Sequence, residues 1–221
     1  MDIALFDLDH TLIPFDSGSA FTRHLAARGE LPPEFEAQYL EYCQRYAAGT
    51  VDMVEMHRFT VGALAVHEPA TLARWLEEFR EVVAPQVPRR ARELVRQHQA
   101  AGHACALVTA TTRFVAESFG AVLGLEEVLA TQPELGPDGR YTGGVVGHAC
   151  FREHKLAHVQ AWLAQRGKTW SEVRRSWFYS DSWNDLPLLQ AVSDPVAVDP
   201  DARLRDFAAS RHWPVLSLRD P

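Results

Sequence analysis

Cysteine is scarce in this chain. Cys43, Cys105 and Cys150 are an odd number, widely separated and never in a Cys-x-x-Cys pair. They fit free buried thiols in a reducing cytoplasm better than a disulfide framework or a zinc site. Positive charge is also short: 22 lysines and arginines face 29 acids, a formal net charge of −7. General nucleic-acid binders and proteins of anionic membrane surfaces need positive surface, so neither class is expected, although a local basic pocket for phosphate stays compatible. No uninterrupted apolar stretch is long enough to span a bilayer. Asp2, Asp7 and Asp9 crowd the N-terminus, unlike the basic and apolar regions of a signal peptide, and a cytoplasmic protein is expected. Internal repeats and low-complexity tracts are absent too.

What is present describes an ordinary globular protein, with 47% apolar and 23% charged residues among 221. That length accommodates one domain, or a domain plus a cap. Helical spacing runs over residues 17–28 and stops at Gly29; further helical patterns cover 34–48, 52–66 and 69–83. Tyr39, Tyr42 and Tyr46 share one helical face and are expected to pack a core. From Pro88 the pattern changes to helices alternating with short apolar runs: helices over 89–101, 112–123 and 153–166 and from Asp185, strands at 104–109, 128–131, 177–179, 195–198 and 215–218. Turn residues between β-prone arms at 135–142 signal a hairpin. Strands alternating with helices indicate a parallel sheet covered on both faces.

The most informative stretch is Phe6-Asp7-Leu8-Asp9-His10-Thr11, two carboxylates directly after the apolar run Ile3-Ala4-Leu5-Phe6. If that run is a buried strand, Asp7 stands at its carboxyl end, where open parallel sheets hold ligands. A lone Asp-x-Asp is more often a solvated turn or a helix N-cap. Three distant segments argue against that: the apolar run 104–108 closing on Thr109, Lys155 near the start of an amphipathic segment, and Trp177-Phe178-Tyr179-Ser180-Asp181-Ser182-Trp183-Asn184-Asp185. In this order the four closely resemble the motifs of the haloacid dehalogenase superfamily of phosphohydrolases, and the nearest branch resembles the phosphoserine phosphatases.

The resemblance implies a Rossmann-like doubly wound α/β sheet with an inserted helical cap domain: a core of residues 1–13 and 85–221, and a cap of 14–84 between the first and second motifs. It makes Asp7 the nucleophile that forms an aspartyl-phosphate, and Asp9 the acid and base that protonates the leaving oxygen and then activates water. Relatives that release halide lack the second acid; this chain keeps it. Mg²⁺ is the implied cofactor, with carboxylates of Asp7 and Asp181, the backbone carbonyl of Asp9, and Asp185 directly or through water. Asp185 alternatively N-caps the helix begun by Leu186-Pro187. Thr109 and the amides of Ala110 and Thr111 are implied phosphate donors at a helix N-terminus, joined by Lys155 and Asn184. His10 departs from the Gly or Ser common at its position and is expected only to pack the loop. His154 and His158 are taken as surface residues rather than a metal pair.

The implied reaction is hydrolysis of a small soluble phosphate monoester. Asp16 lies nine positions after Asp7, where phosphoserine phosphatases place a Glu that holds the substrate ammonium; it either serves that purpose or caps the first cap helix. Arg58 either matches the cap arginine that binds the phosphoserine carboxylate or is a surface arginine. Phosphoserine, histidinol phosphate, phosphorylated amino alcohols and choline esters are candidate substrates. Two competing functions are phosphoryl transfer to an alcohol acceptor and non-catalytic metabolite binding on the same fold. Loss of a motif acid or the lysine would favour the binder, and none is lost.

Overall fold

A computed structural model of the chain describes residues 1–220. Its main sheet has six strands in the order β3-β2-β1-β6-β7-β8. These are β1 (Asp2–Phe6), β2 (Ala104–Thr112), β3 (Glu127–Thr131), β6 (Arg175–Ser180), β7 (Asp194–Val198) and β8 (Val215–Leu216). Every neighbouring pair is parallel. The central strand shows why the apolar runs are continuous rather than alternating. Ala4 and Phe6 bury into one core and Ile3 and Leu5 into another on the opposite face, so each residue of the run meets a covered side.

Helices α5 (Arg89–Ala100) and α6 (Arg113–Leu123) cover the Phe6 face; α7 (Glu153–Gln165), α8 (Leu186–Ala191) and α9 (Ala202–Ser210) cover the other. α9 was not anticipated in the sequence. Asp201 starts it by accepting the Leu204 amide at 2.8 Å, an N-cap signal that follows closely on β7. β8 is shorter than the apolar run 215–218.

Between β1 and α5 lie α1 (Ser17–Ala27), α2 (Phe35–Ala47), α3 (Met53–Gly62) and α4 (Pro69–Val83). The third helix stops at Gly62, four residues before its apolar pattern ends, because the chain turns at 61–67 through short-range bonds such as Leu64 N to Val61 O at 3.0 Å. α1 and α4 reach the core through aromatic edges: Phe21 meets Phe79 at 5.1 Å and Phe114 at 5.7 Å, and Phe79 meets Phe119 at 5.9 Å. The hairpin β4 (Pro133–Leu135) and β5 (Tyr141–Val145) packs against α3. Gly143, at φ +84°, allows this: a Cβ there would stand 3.2 Å from the Gly62 Cα.

Candidate active site

Adjacent parallel strands end together, and the site is built on those ends. β1 and β6 pair with Phe6 opposite Tyr179, so Asp7 and Asp181 emerge side by side just beyond the sheet. The Asp7 amide still donates to the Tyr179 carbonyl at 2.9 Å. Thr11 ties the acids together: its hydroxyl lies 3.2 Å from both Asp7 Oδ2 and Asp181 Oδ1 and accepts the Asp181 amide at 3.0 Å. Burial, followed by the charges of Asp7 and Asp185, holds Asp181 well above the usual carboxylate range.

Lys155 reaches this cluster from α7 and is completely buried. Its Nζ donates to Asp7 Oδ1 and Asp185 Oδ2, each at 2.7 Å. Burial opposes the ammonium, but Asp185 and Asp7 outweigh it and keep Lys155 charged. Burial raises Asp185 to about 6 against the pull of Lys155. The Ser180 hydroxyl also donates to Asp185 Oδ2 at 2.7 Å. Asp185 does stand at the N-cap position of α8, yet its carboxylate makes no capping bond, so the capping alternative is not realised.

Asp9 sits between β2 and the start of α1. Its Oδ1 accepts the Ser17 amide at 2.6 Å and its Oδ2 the Thr111 hydroxyl at 2.7 Å. Burial, then the charges of Asp16 and Asp7, push Asp9 up to about 7, although these two hydrogen bonds favour the ionised form. A carboxyl poised near neutrality can both give and take a proton. Thr109 is buried at the cavity wall, and the pairing of β2 with β3 shifts between Thr109 and Thr112, taking residues 110 and 111 out of the ladder. Here the structure corrects two expectations. The Thr111 amide is occupied, donating to Thr109 Oγ1 at 3.1 Å, and α6 begins only at Arg113, so residues 109–111 end a strand rather than open a helix. Thr109 and Ala110 both line the cavity.

Asn184 lines the same cavity but turns its amide to the α2 segment, donating to the Tyr46 carbonyl at 3.0 Å. Arg152, missed in the sequence, makes the parallel link: its Nη2 donates to the Gly49 carbonyl at 2.6 Å. Its backbone has φ +52° and ψ −127°, a conformation costly for any residue with a Cβ. Together these bonds fasten the end of α2 and the turn after it across the strand ends.

The cavity enclosed in this way measures about 810 Å³ and spans from Asp7, Asp9 and Asp181 to α1, α2 and α3. Asp16 lies on its wall and N-caps α1: its Oδ1 accepts the Ser19 amide at 2.6 Å and the Tyr39 hydroxyl at 3.0 Å, while no bond is made to its Oδ2 among the described residues. Capping is thus realised without consuming the carboxylate. The tyrosine stripe departs from expectation. Tyr39 and Tyr46 line the cavity, whereas Tyr42 donates outward to Glu55 at 3.0 Å. Arg58 is exposed and outside the cavity; its neighbour His57 faces it instead. His10 is exposed at the rim, at φ +57°, rather than packed in the loop. His154 stacks on His148 at 4.2 Å, and His158 bonds the His148 carbonyl at 3.0 Å, away from the acids.

Among the described residues, no three His, Cys, Asp or Glu side chains stand grouped as a ready-made ion cage. The donor chemistry nonetheless fits a hard divalent cation that keeps several waters and takes few carboxylates. Asp7 and Asp181 lean on one hydroxyl, burial and then the neighbouring acids disfavour Asp181 as an anion, and Asp185 Oδ1 is buried without a partner among the described residues.

Comparison with known proteins shows the family. The chain is 38% identical over 220 residues to a histidinol-phosphatase of Neisseria meningitidis, covering 99% of each protein. It is 33% identical to the phosphoserine phosphatase SerB1 of Mycobacterium tuberculosis, covering 98% of this chain and 70% of that one. A Bordetella pertussis protein of unknown function has the same fold at a TM-score of 0.91, with 43% identity and 99% of each chain covered. A substrate-bound phosphoserine phosphatase superposes at a TM-score of 0.69 with 15% identity, covering 99% of this chain and 93% of its own. The family model for haloacid dehalogenase-like hydrolase matches residues 4–190, and the chain belongs to that hydrolase family.

Proposed function

We propose that this hydrolase is a Mg²⁺-dependent phosphomonoesterase acting through an aspartyl-phosphate, and that its substrate is a small amine-bearing ester, with histidinol phosphate the leading candidate. The observation that carries the chemistry is the pairing of Asp7, held by Lys155 and Thr11, with Asp9, whose pKa of about 7 suits a proton shuttle. Asp7 attacks phosphorus, the ester P–O bond breaks, and Asp9 gives its proton to the departing alcohol oxygen. Water then attacks the phosphoryl group on Asp7, Asp9 takes a proton from it, and inorganic phosphate and free Asp7 result. Lys155 and the Thr109 hydroxyl are placed to offset charge on the phosphoryl oxygens. The carboxylates of Asp7 and Asp181 and the carbonyl of Asp9 would hold Mg²⁺, with Asp185 directly or through water, and the bound ion would supply charge neutralisation and orientation for the phosphate ester.

Residues 14–84 act in this reading as the cap that closes over the mouth, fastened by Asn184 and Arg152, and restrict entry to small esters. Asp16 lines the cavity with Oδ2 left unbonded among the described residues, and in this reading Oδ2 accepts a substrate ammonium. The arginines that line the cavity, Arg152 and Arg203, both lie outside 14–84, and Arg152 is committed to the Gly49 carbonyl, so among the described residues no lysine or arginine of 14–84 lines it. A substrate carboxylate would therefore meet the Asp16 charge without a counter-ion from the cap. This favours an amino-alcohol ester over phosphoserine, in keeping with the similarity to a histidinol-phosphatase.

The test is phosphate release from histidinol phosphate, phosphoserine, phosphoethanolamine, a sugar phosphate and p-nitrophenyl phosphate, with and without Mg²⁺, using Asp7→Asn as control. Mg²⁺-dependent hydrolysis with the highest kcat/KM on an amine-bearing ester without a carboxylate is expected. A preference for phosphoserine or the sugar phosphate would overturn the substrate class, and Mg²⁺-independent turnover would overturn the metal requirement.

A further inference from the structure

α3 presents Met53, Met56, His57, Thr60 and Val61 to the cavity, at the three- and four-residue spacing of one helix face. The polar ring in this apolar row is 4% exposed. His57 Nδ1 lies 3.0 Å from the Met53 carbonyl oxygen one turn earlier. A carbonyl only accepts, so Nδ1 carries the ring hydrogen. Burial lowers the pKa of His57, which keeps the ring neutral and leaves Nε2 as a lone-pair acceptor. That acceptor is buried with no partner among the described residues. The neighbouring Thr60 hydroxyl does not supply one, because it donates to the Met56 carbonyl at 2.9 Å.

An unpaired buried acceptor is costly to a protein unless something else satisfies it. The cap wall thus holds two acceptors without a protein partner among the described residues, both on residues that line one cavity: Asp16 Oδ2 and His57 Nε2, the latter covered in this structure. We propose that His57 is a specificity-determining residue whose Nε2 accepts a hydrogen bond from an N–H or O–H at the end of the substrate remote from phosphate. This rests on the amine-bearing substrate class argued above and narrows it. The preferred ester carries a second donor beyond the ammonium, such as the ring N–H of a heteroaromatic group, which the surrounding Met and Val side chains would also pack. A carboxylate there would set lone pair against lone pair.

The readout is the ratio of kcat/KM for histidinol phosphate, which has an ammonium and a ring N–H, to that for phosphoethanolamine, which has only the ammonium. In His57→Leu and His57→Met this ratio should fall about tenfold, mainly through KM, as one neutral hydrogen bond is lost. His57→Gln, which can again present an acceptor, should recover part of it. Melting temperatures of the apolar variants should hold or rise, because an unpaired polar group is removed. A measurement without substitution at 57 uses the Asp7→Asn enzyme: the ¹⁵N resonance of His57 Nε2 should shift to a hydrogen-bonded value with histidinol phosphate and stay put with phosphoethanolamine. An unchanged ratio or an unmoved resonance overturns the role of His57 while leaving the amine preference of the wild type standing. A wild type with no preference for amine-bearing esters overturns both.

Discussion

Lys155 Nζ donates to Asp7 Oδ1 at 2.7 Å, inside the protein and with a second carboxylate, Asp185, equally near. The same ammonium therefore steadies the fold and positions the proposed nucleophile. Lys155→Met should cost about 3–5 kcal/mol of stability, since it leaves two buried carboxylates short of their cation. It should also lower kcat at least about 100-fold through lost charge stabilisation. Chemical denaturation and steady-state phosphate release check the two effects; near-wild-type stability would show that the acids do not depend on Lys155.

Asp7→Asn retains the shape of the side chain and its place between Lys155 and Thr11. It should fold normally and lose at least about 1,000-fold in turnover, because an amide cannot replace the carboxylate nucleophile. Circular dichroism and phosphate release decide it, and substantial residual turnover would refute a covalent intermediate on Asp7.

Asp16 is expected to have two separable roles. Asp16→Ala removes both the cap bond to Ser19 and the charge, and should cost about 1 kcal/mol of stability. Asp16→Asn keeps a capping oxygen and removes only the charge. Both should reduce kcat/KM on amine-bearing esters about 10- to 100-fold relative to p-nitrophenyl phosphate, as for a lost charge-assisted hydrogen bond. Equal losses on both substrate types would reduce Asp16 to a cap.

Stability should also fall in mild acid through His98, which bridges Tyr179 and His103 at 2.8 Å on each side. Burial, then the neighbouring His103, lower its pKa to about 4 from the ordinary 6.5. Between those values the unfolded chain binds a proton that the folded ring refuses. The contribution is complete above the unfolded pKa and is lost as pH falls through the window toward 4, amounting to roughly 2 kcal/mol. Urea denaturation of the wild type and His98→Phe checks this: the variant should show a shallower loss between about pH 7 and about pH 4. Parallel pH profiles would mean that His98 titrates alike folded and unfolded.

Much of the architecture was written in local pattern. The alternation of apolar runs with helical spacing already described a parallel sheet covered on both faces, because β1 buries both of its faces and must be apolar throughout. The placement of Asp7, Asp181 and Thr109 at strand ends followed from where those runs stop, since the turn after a buried strand is where polar side chains resume. The α9 helix has only a faint sequence pattern, because its short apolar face, Leu204 and Ala208, is weak beside the charged residues around it.

Long-range partners were another matter. Periodicity along α3 cannot say whether His57 or Arg58 faces inward, as one residue turns the helix by about 100° and both side chains are polar. The tyrosines of α2 resemble a core stripe because a cavity is lined much as a core is, and sequence spacing does not distinguish the two. Asn184 and Arg152 spend their donors on carbonyls of residues 46 and 49, more than a hundred positions away in the chain. Such bonds leave no local signature, because they depend on how the end of α2 and the turn after it come to rest over the strand ends. Local chemistry, in short range and in order, thus prescribed the sheet and its acids, while chain closure chose which side chains line the cavity.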